Sequence, residues 1–144
     1  MSRKEKLLIQ IQISWEFSHE EEPPFPVIEV WLAQIGKKQP PTMITAKVDT
    51  GFNGFLAVSN DLARKSGLKP YGRVPIATAT DVVEVPIYRV LLTQPELGLN
   101  EKQVTALGVM RNLVGRRLLE GNSWLMDFSS NKLSLVSTKT FSMP

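Results

Sequence analysis

Val48-Asp49-Thr50-Gly51-Phe52-Asn53-Gly54-Phe55-Leu56 is the stretch from which the fold is read. Met43, Ile44, Ala46 and Val48 lead into it as a buried strand would, and Phe55, Leu56, Ala57 and Val58 lead out in the same way. Gly51 and Gly54 supply the permissive backbone that a tight turn between two strands needs. A given tripeptide occurs by chance in roughly 3 of 100 chains of this length, so the flanking strands carry the weight of the reading. A second element lies downstream, Leu113-Val114-Gly115-Arg116-Arg117-Leu118-Leu119: two apolar residues, a glycine, then polar residues and a leucine pair.

Together the two elements resemble the retropepsin-like aspartic proteases, the single-lobe family of retroviral proteases and their prokaryotic relatives. VDTGFNGFL is similar to the family's active-site turn, and LVGRRLLEG to its hydrophobic-hydrophobic-glycine element followed by a short helix. The resemblance covers residues 27 to 136. Arg117 departs from it, since several members carry an acidic or amide residue there. The fold that the resemblance implies is a mainly β, single-lobe acid-protease barrel with one or two short helices.

By the same resemblance Asp49, Thr50 and Gly51 are the catalytic residues. Asp49 would be half of a carboxylate dyad, Thr50 would hydrogen-bond across the axis of a homodimer, and Gly51 would let the backbone approach the carboxylate. Phe52 and Asn53 would border the substrate cleft. Gly115 and Arg116 would support the site, the arginine as a brace. A hairpin over residues 74 to 80 and 82 to 92 falls where the family places its flap, so Thr78, Ala79 and Thr80 at its tip would meet the substrate; retroviral flap tips are rich in glycine, and this one has none. The chain carries one Asp-Thr-Gly and is about half as long as a two-lobed enzyme, so a symmetric dimer would supply the second carboxylate. The implied activity is that of an aspartic endopeptidase acting on a peptide or protein substrate. The alternative is a silent relative, the same dimer used as a peptide-binding or assembly module.

The remaining residues narrow the chemistry. An aspartate before threonine and glycine can simply make a turn through its own side chain; the flanking strands and the downstream element favour catalysis at Asp49. Asp61 suits the first turn of a helix, Asp81 a hairpin tip, and Asp127, between Met126 and Phe128, the solvent face of a strand. The one histidine, His19, lies in the charged connection SHEEEPPFP, which gives a Ser-His-Asp triad or a metal site little to work with. Gly51 and Gly54 lack the lysine of a phosphate-binding loop. No metal and no cofactor is expected.

The 144 residues, 42% of them hydrophobic, fit a single domain with a real core. The absence of cysteine excludes a thiol nucleophile and any disulfide, and suits a reducing, cytoplasmic setting. Residues 7 to 15 alternate apolar with polar instead of forming a continuous apolar run, so neither a signal peptide nor a membrane span is expected. The net charge of +3 arises from 17 scattered basic residues, broken by Glu20-Glu21-Glu22, and does not point to nucleic acid.

Secondary structure follows from the same patterns. Residues 1 to 26 divide into a strand on which Ile9, Ile11, Ile13 and Trp15 form a half-buried face, and a charged, proline-rich connection; residues 27 to 144 form the protease-like domain. Strands are expected over residues 27 to 35 and 104 to 110. A short helix should run from an N-cap at Ser59 to Ser66, closed by Gly67, with a helical turn over 116 to 120. Residues 124 to 128 and 132 to 136 should close the chain as a hairpin. Pro86 marks its own strand as an edge or a bulge, and Trp15, Trp31 and Trp124 are assigned to the core.

Overall fold

The computed structural model describes residues 4 to 143 and is mainly β. Its strands are β1 (Lys4–Glu16), β2 (Val27–Gln34), β3 (Thr42–Val48), β4 (Leu56–Ser59), β5 (Gly72–Ala77), β6 (Val82–Gln94), β7 (Leu99–Val109), β8 (Leu113–Val114), β9 (Ser123–Asp127) and β10 (Lys132–Met143). Two short helices, α1 (Asn60–Lys65) and α2 (Arg116–Leu119), interrupt them. The chain divides into two compact units, residues 28 to 120 and the two ends taken together.

The central unit is a barrel. Its strands follow the order β2-β3-β8-β4-β7-β6-β5, and β2 also pairs with β6, from Trp31 opposite Thr93 to Gln34 opposite Val90. Six strands thereby close on themselves and β5 hangs from β6. Closure removes the open edges that a flat sheet would leave. The inward residues alternate as a period of two requires: Ile28, Val30 and Leu32 on β2, Ile44, Ala46 and Val48 on β3, Val90 and Leu92 on β6 are all buried. Met43, expected inside with its neighbours, is out of phase with them and is 48% exposed.

Local signals explain the helix between β4 and β5. Ser59 has an extended backbone and its Oγ accepts the Leu62 N–H at 3.0 Å, as an N-cap does. At the other end Gly67 takes a positive φ of 68°, and the Leu68 N–H returns to the Ala63 carbonyl at 2.9 Å. The β5–β6 hairpin turns at residues 78 to 81. Pro86 sits opposite Arg73, in a part of β6 paired with β5 alone, because the β6–β7 ladder starts at Ile87. It is a local edge, where a missing donor costs little.

The terminal unit is a three-stranded antiparallel sheet in the order β1-β10-β9. The closing hairpin is longer than its sequence pattern suggests, because β10 runs on to Met143 against β1. Trp15, Phe17, Phe25, Leu133, Leu135 and Val136 are buried, with the Trp15 and Trp124 rings 6.2 Å apart and Phe17 edge-on to Phe128. Two expectations need correcting. The Ile9-to-Trp15 face is buried only at its Trp15 end: a register shift between Ile11 and Ile13 breaks its continuity, and Leu7, Ile9 and Ile11 are exposed. Trp31 and Trp124 are half-buried and not core. Asp127 is also more than a solvent-facing residue, since its Oδ1 collects the Ser129 hydroxyl at 2.6 Å and the Ser129 and Ser130 amides, which build the β9–β10 turn. Among the described residues no helix is long and apolar enough to cross a membrane.

Candidate functional site

β8 is only two residues long, yet it organises the site. It runs parallel to β3, with Val48 opposite Val114, and antiparallel to β4, with Leu56 opposite Val114. The chain therefore leaves β3 at Val48 and enters β4 at Leu56 on either side of the point where β8 ends. Residues 49 to 55 have to arch over the exit of β8, and that arch contains Asp49.

Two turns interlock there. The Asp49 N–H donates to the Val114 carbonyl at 3.0 Å, and the Gly115 N–H donates to the Phe55 carbonyl at 3.1 Å. The Arg116 and Arg117 amides, which open α2, donate to the carbonyls of Phe52 at 2.8 Å and Gly54 at 3.3 Å. The free donors of a first helical turn are thus satisfied by the arch instead of by a side-chain cap. Gly115 is required by space. A Cβ there would lie 2.2 Å from the Gly54 carbonyl oxygen and 2.7 Å from that of Phe52.

Within the arch, Asp49 is half-buried. Its Oδ1 accepts the Gly51 N–H at 2.9 Å, and its carbonyl accepts the Phe52 N–H at 3.1 Å. The carboxylate is therefore held by its own turn, with Thr50 exposed beside it. A Cβ on Gly51 would come within 3.2 Å of that Oδ1. Arg116 reaches back and its guanidinium donates to the Asn53 Oδ1, closing a second link between α2 and the arch. Asn53, expected beside substrate, has its oxygen engaged by that arginine.

Asp49, Thr50, Gly51, Phe52, Asn53, Gly115 and Arg116 thus fall in one cluster. Thr78, Ala79 and Thr80 lie at the exposed hairpin tip. Their hydrogen bonds among the described residues stay within the tip: the Thr78 N–H and hydroxyl both donate to the Asp81 carbonyl, and the Asp81 N–H returns to the Thr78 Oγ1 at 3.1 Å. The Val82 N–H donates to the Asp81 Oδ1 at 2.7 Å. A tip without glycine is braced by side-chain oxygens instead.

One supporting residue escaped the sequence reading. Asn112 accepts the Lys47 N–H on its carbonyl and the Ser59 N–H on its Oδ1 at 2.9 Å, tying the end of β3 to the end of β4. Its only signal in the sequence is its place immediately before the Leu113-Val114-Gly115 run. Among the described residues no group of three or more His, Cys, Asp or Glu side chains is placed to hold a metal ion. No protein-family model, curated protein or solved structure matches this chain.

Proposed function

We propose that the chain is a retropepsin-like aspartic endopeptidase, active as a homodimer and cytoplasmic, in which two Asp49 carboxylates, one from each protomer, activate a water molecule. The observation that carries this reading is the interlocked pair of turns, which holds a half-buried carboxylate on a backbone that cannot shift without breaking bonds to α2. Geometry held in this way is what a general base needs.

Hydrolysis of a peptide bond needs one group to take a proton from water and another to give a proton, first to the carbonyl oxygen and later to the leaving amine. A single carboxylate cannot be in both states. Two carboxylates in contact can, because their repulsion leaves one protonated while the other is ionised. In the proposed dimer the ionised Asp49 takes a proton from water, the water oxygen adds to the scissile carbon, and the protonated partner donates to the carbonyl oxygen. Collapse of the tetrahedral species then transfers a proton to the departing amine. No covalent intermediate forms. The exposed Thr50 hydroxyl is available to bond across the twofold axis, and Phe52 and the Thr78, Ala79 and Thr80 tip would contact the peptide.

A second reading has one observation in its favour: the braced, glycine-free hairpin tip is a poor moving cover. Under that reading the dimer binds peptide without cleaving it. Incubation with a mixture of unstructured peptides, analysed by mass spectrometry, separates the two. New termini produced by the parent and not by Asp49→Asn support the endopeptidase; peptides retained uncut by both support the binding module.

A further inference from the structure

The end of the barrel away from the arch carries a cleft of about 440 Å³. It lies between β2, β6, the start of β3 and the end of α1, and includes residues of the β2–β3 connection. Thr42 and Ile44 belong to its lining and sit seven and five residues before Asp49 on β3. At about 3.3 Å of rise per residue the cleft is thus roughly 15 to 25 Å from the candidate dyad.

Its chemistry is that of a small-molecule site. Leu62 and Leu68 supply apolar surface, backed by the buried Ile44 and Val90, and Gln34 and Thr42 supply polar groups. The size and the mixture match ordinary ligand pockets. The Gln34 side-chain amide donates to the Ser66 carbonyl, so this wall is tied to the end of α1. The Leu62, Ala63 and Arg64 carbonyls at that helix end are likewise taken by the Ser66, Leu68 and Gly67 amides. Most of the negative end of the helix is therefore already satisfied.

Charge selects among apolar ligands. The lining contains Lys37 and Lys65, and none of the described residues that line the cleft is acidic. Lys65 already pairs with Asp61 at 2.9 Å on the exposed surface of α1. Lys37 has no ion pair among the described residues. It also borders a neighbouring cleft of about 350 Å³ across the same connection, where Glu101 is the one acid among the described lining residues. We infer that the cleft binds a small amphipathic carboxylate, its alkyl or aryl stem against Leu62 and Leu68 and its carboxylate on Lys37.

Octanoate, octylamine and 1-octanol serve as probes, since they share a stem and differ in charge. Titration of the isotope-labelled full chain, followed by amide and side-chain chemical shifts, should place octanoate at Gln34, Lys37, Ile44 and Leu68. Octanoate should bind about three- to fivefold more tightly than octanol, the difference expected of one exposed charge pair, and octylamine no better than octanol. Lys37→Glu, at an exposed loop position, should abolish that preference, and Thr42→Trp should block all three probes. Asp49→Asn should leave binding unchanged, which separates this site from the proposed catalytic one. Equal binding of octanoate and octanol, retention of the preference in Lys37→Glu, shifts confined to the exposed Leu7, Ile9 and Ile11, or no shift at millimolar octanoate would each overturn the inference.

Discussion

Replacing Gly115 with alanine adds one methyl group at the point where the two turns interlock. The φ of Gly115 is −105° and its ψ −176°, an extended conformation open to any residue, so the penalty is one of space and not of backbone strain. The new Cβ would stand 2.2 Å from the Gly54 oxygen, against 3.4 to 4 Å for ordinary contact, and relief requires the arch to retreat by about 1 Å. Overpacking of this kind costs roughly 1–3 kcal/mol. The retreat also stretches the bonds from Arg116 N–H to the Phe52 carbonyl and from Arg117 N–H to the Gly54 carbonyl, each contributing about 0.5–1.5 kcal/mol. The expected loss is about 2 to 6 kcal/mol, centred near 4, a large part of the roughly 5–15 kcal/mol typical of a domain.

Urea denaturation monitored by far-ultraviolet circular dichroism measures this loss as a fall of about 2 M in the midpoint, taking a slope of roughly 2 kcal/mol/M. Gly98→Ala is the matched control. Its Cβ would meet nothing within 4 Å, but its φ of 70° is left-handed, so it should lose about 1 kcal/mol from strain alone. Hydrogen exchange at the Arg116 amide should accelerate in Gly115→Ala and not in Gly98→Ala. If Gly115→Ala were no less stable than Gly98→Ala, the interlocked turns would not be a rigid unit, and the argument for a held carboxylate would fail with it.

Asp49→Asn keeps an Oδ1 to accept the Gly51 N–H and should fold as the parent does, while any peptidase activity falls by about 10²- to 10⁴-fold or more; substantial activity in the pure variant would place the acid elsewhere. Activity per chain should drop on dilution as the dimer dissociates, and Thr50→Val should raise the concentration at which this happens; constant activity in a demonstrated monomer refutes the shared site. The rate should be bell-shaped in pH, because only the singly protonated dyad works, with both limbs belonging to the pair; a rate rising steadily into alkaline pH would point to another mechanism. The Asp127 carboxyl is depressed from 3.8 to about 2, chiefly by the Ser129 hydroxyl and then by Ser130. Its contribution to stability is therefore present above about pH 4 and lost as pH falls through about 2; a carboxyl titrating near 4 by NMR would contradict the turn geometry.

How much of this was legible before folding differs by feature. Chemistry confined to neighbouring residues was readable: Ser59 capping the helix, Gly67 ending it, and a hairpin tip at residues 78 to 81. The Asp49 turn and the Gly115 element could each be marked, but their interlocking depends on a strand of two residues paired with partners far away in sequence. The β2–β6 pairing that closes the barrel is equally remote, and no local pattern encodes it. β7 starts at Leu99, earlier than its apolar pattern begins, because Asn100, Glu101, Lys102 and Gln103 carry no strand signal. Alternation also misled at β1. A period of two separates the faces of a strand but does not say which face is covered, and Leu7, Ile9 and Ile11 lie on an exposed one.

The same contrast explains how so small a barrel can hold a site. Four backbone bonds, from Asp49 to Val114, Gly115 to Phe55, Arg116 to Phe52 and Arg117 to Gly54, join the arch to β8 and α2. Each is modest in net energy. They act together only because the missing side chain at Gly115 lets two backbones approach to a distance that no other residue permits. Arg116 and Asn53 add a side-chain link, and Asn112 holds the ends of β3 and β4 that feed the arch. A change in any of these residues should therefore alter the position of the Asp49 carboxylate before it unfolds the barrel. Arg116→Lys separates position from charge. It keeps the cation and loses the planar donor aimed at Asn53, so it should loosen the Phe52 and Asn53 amides in hydrogen exchange while the amides of β2 and β6 stay protected. Equal loosening of both regions would mean that the arch and the barrel open as one unit, with no separately held site between them.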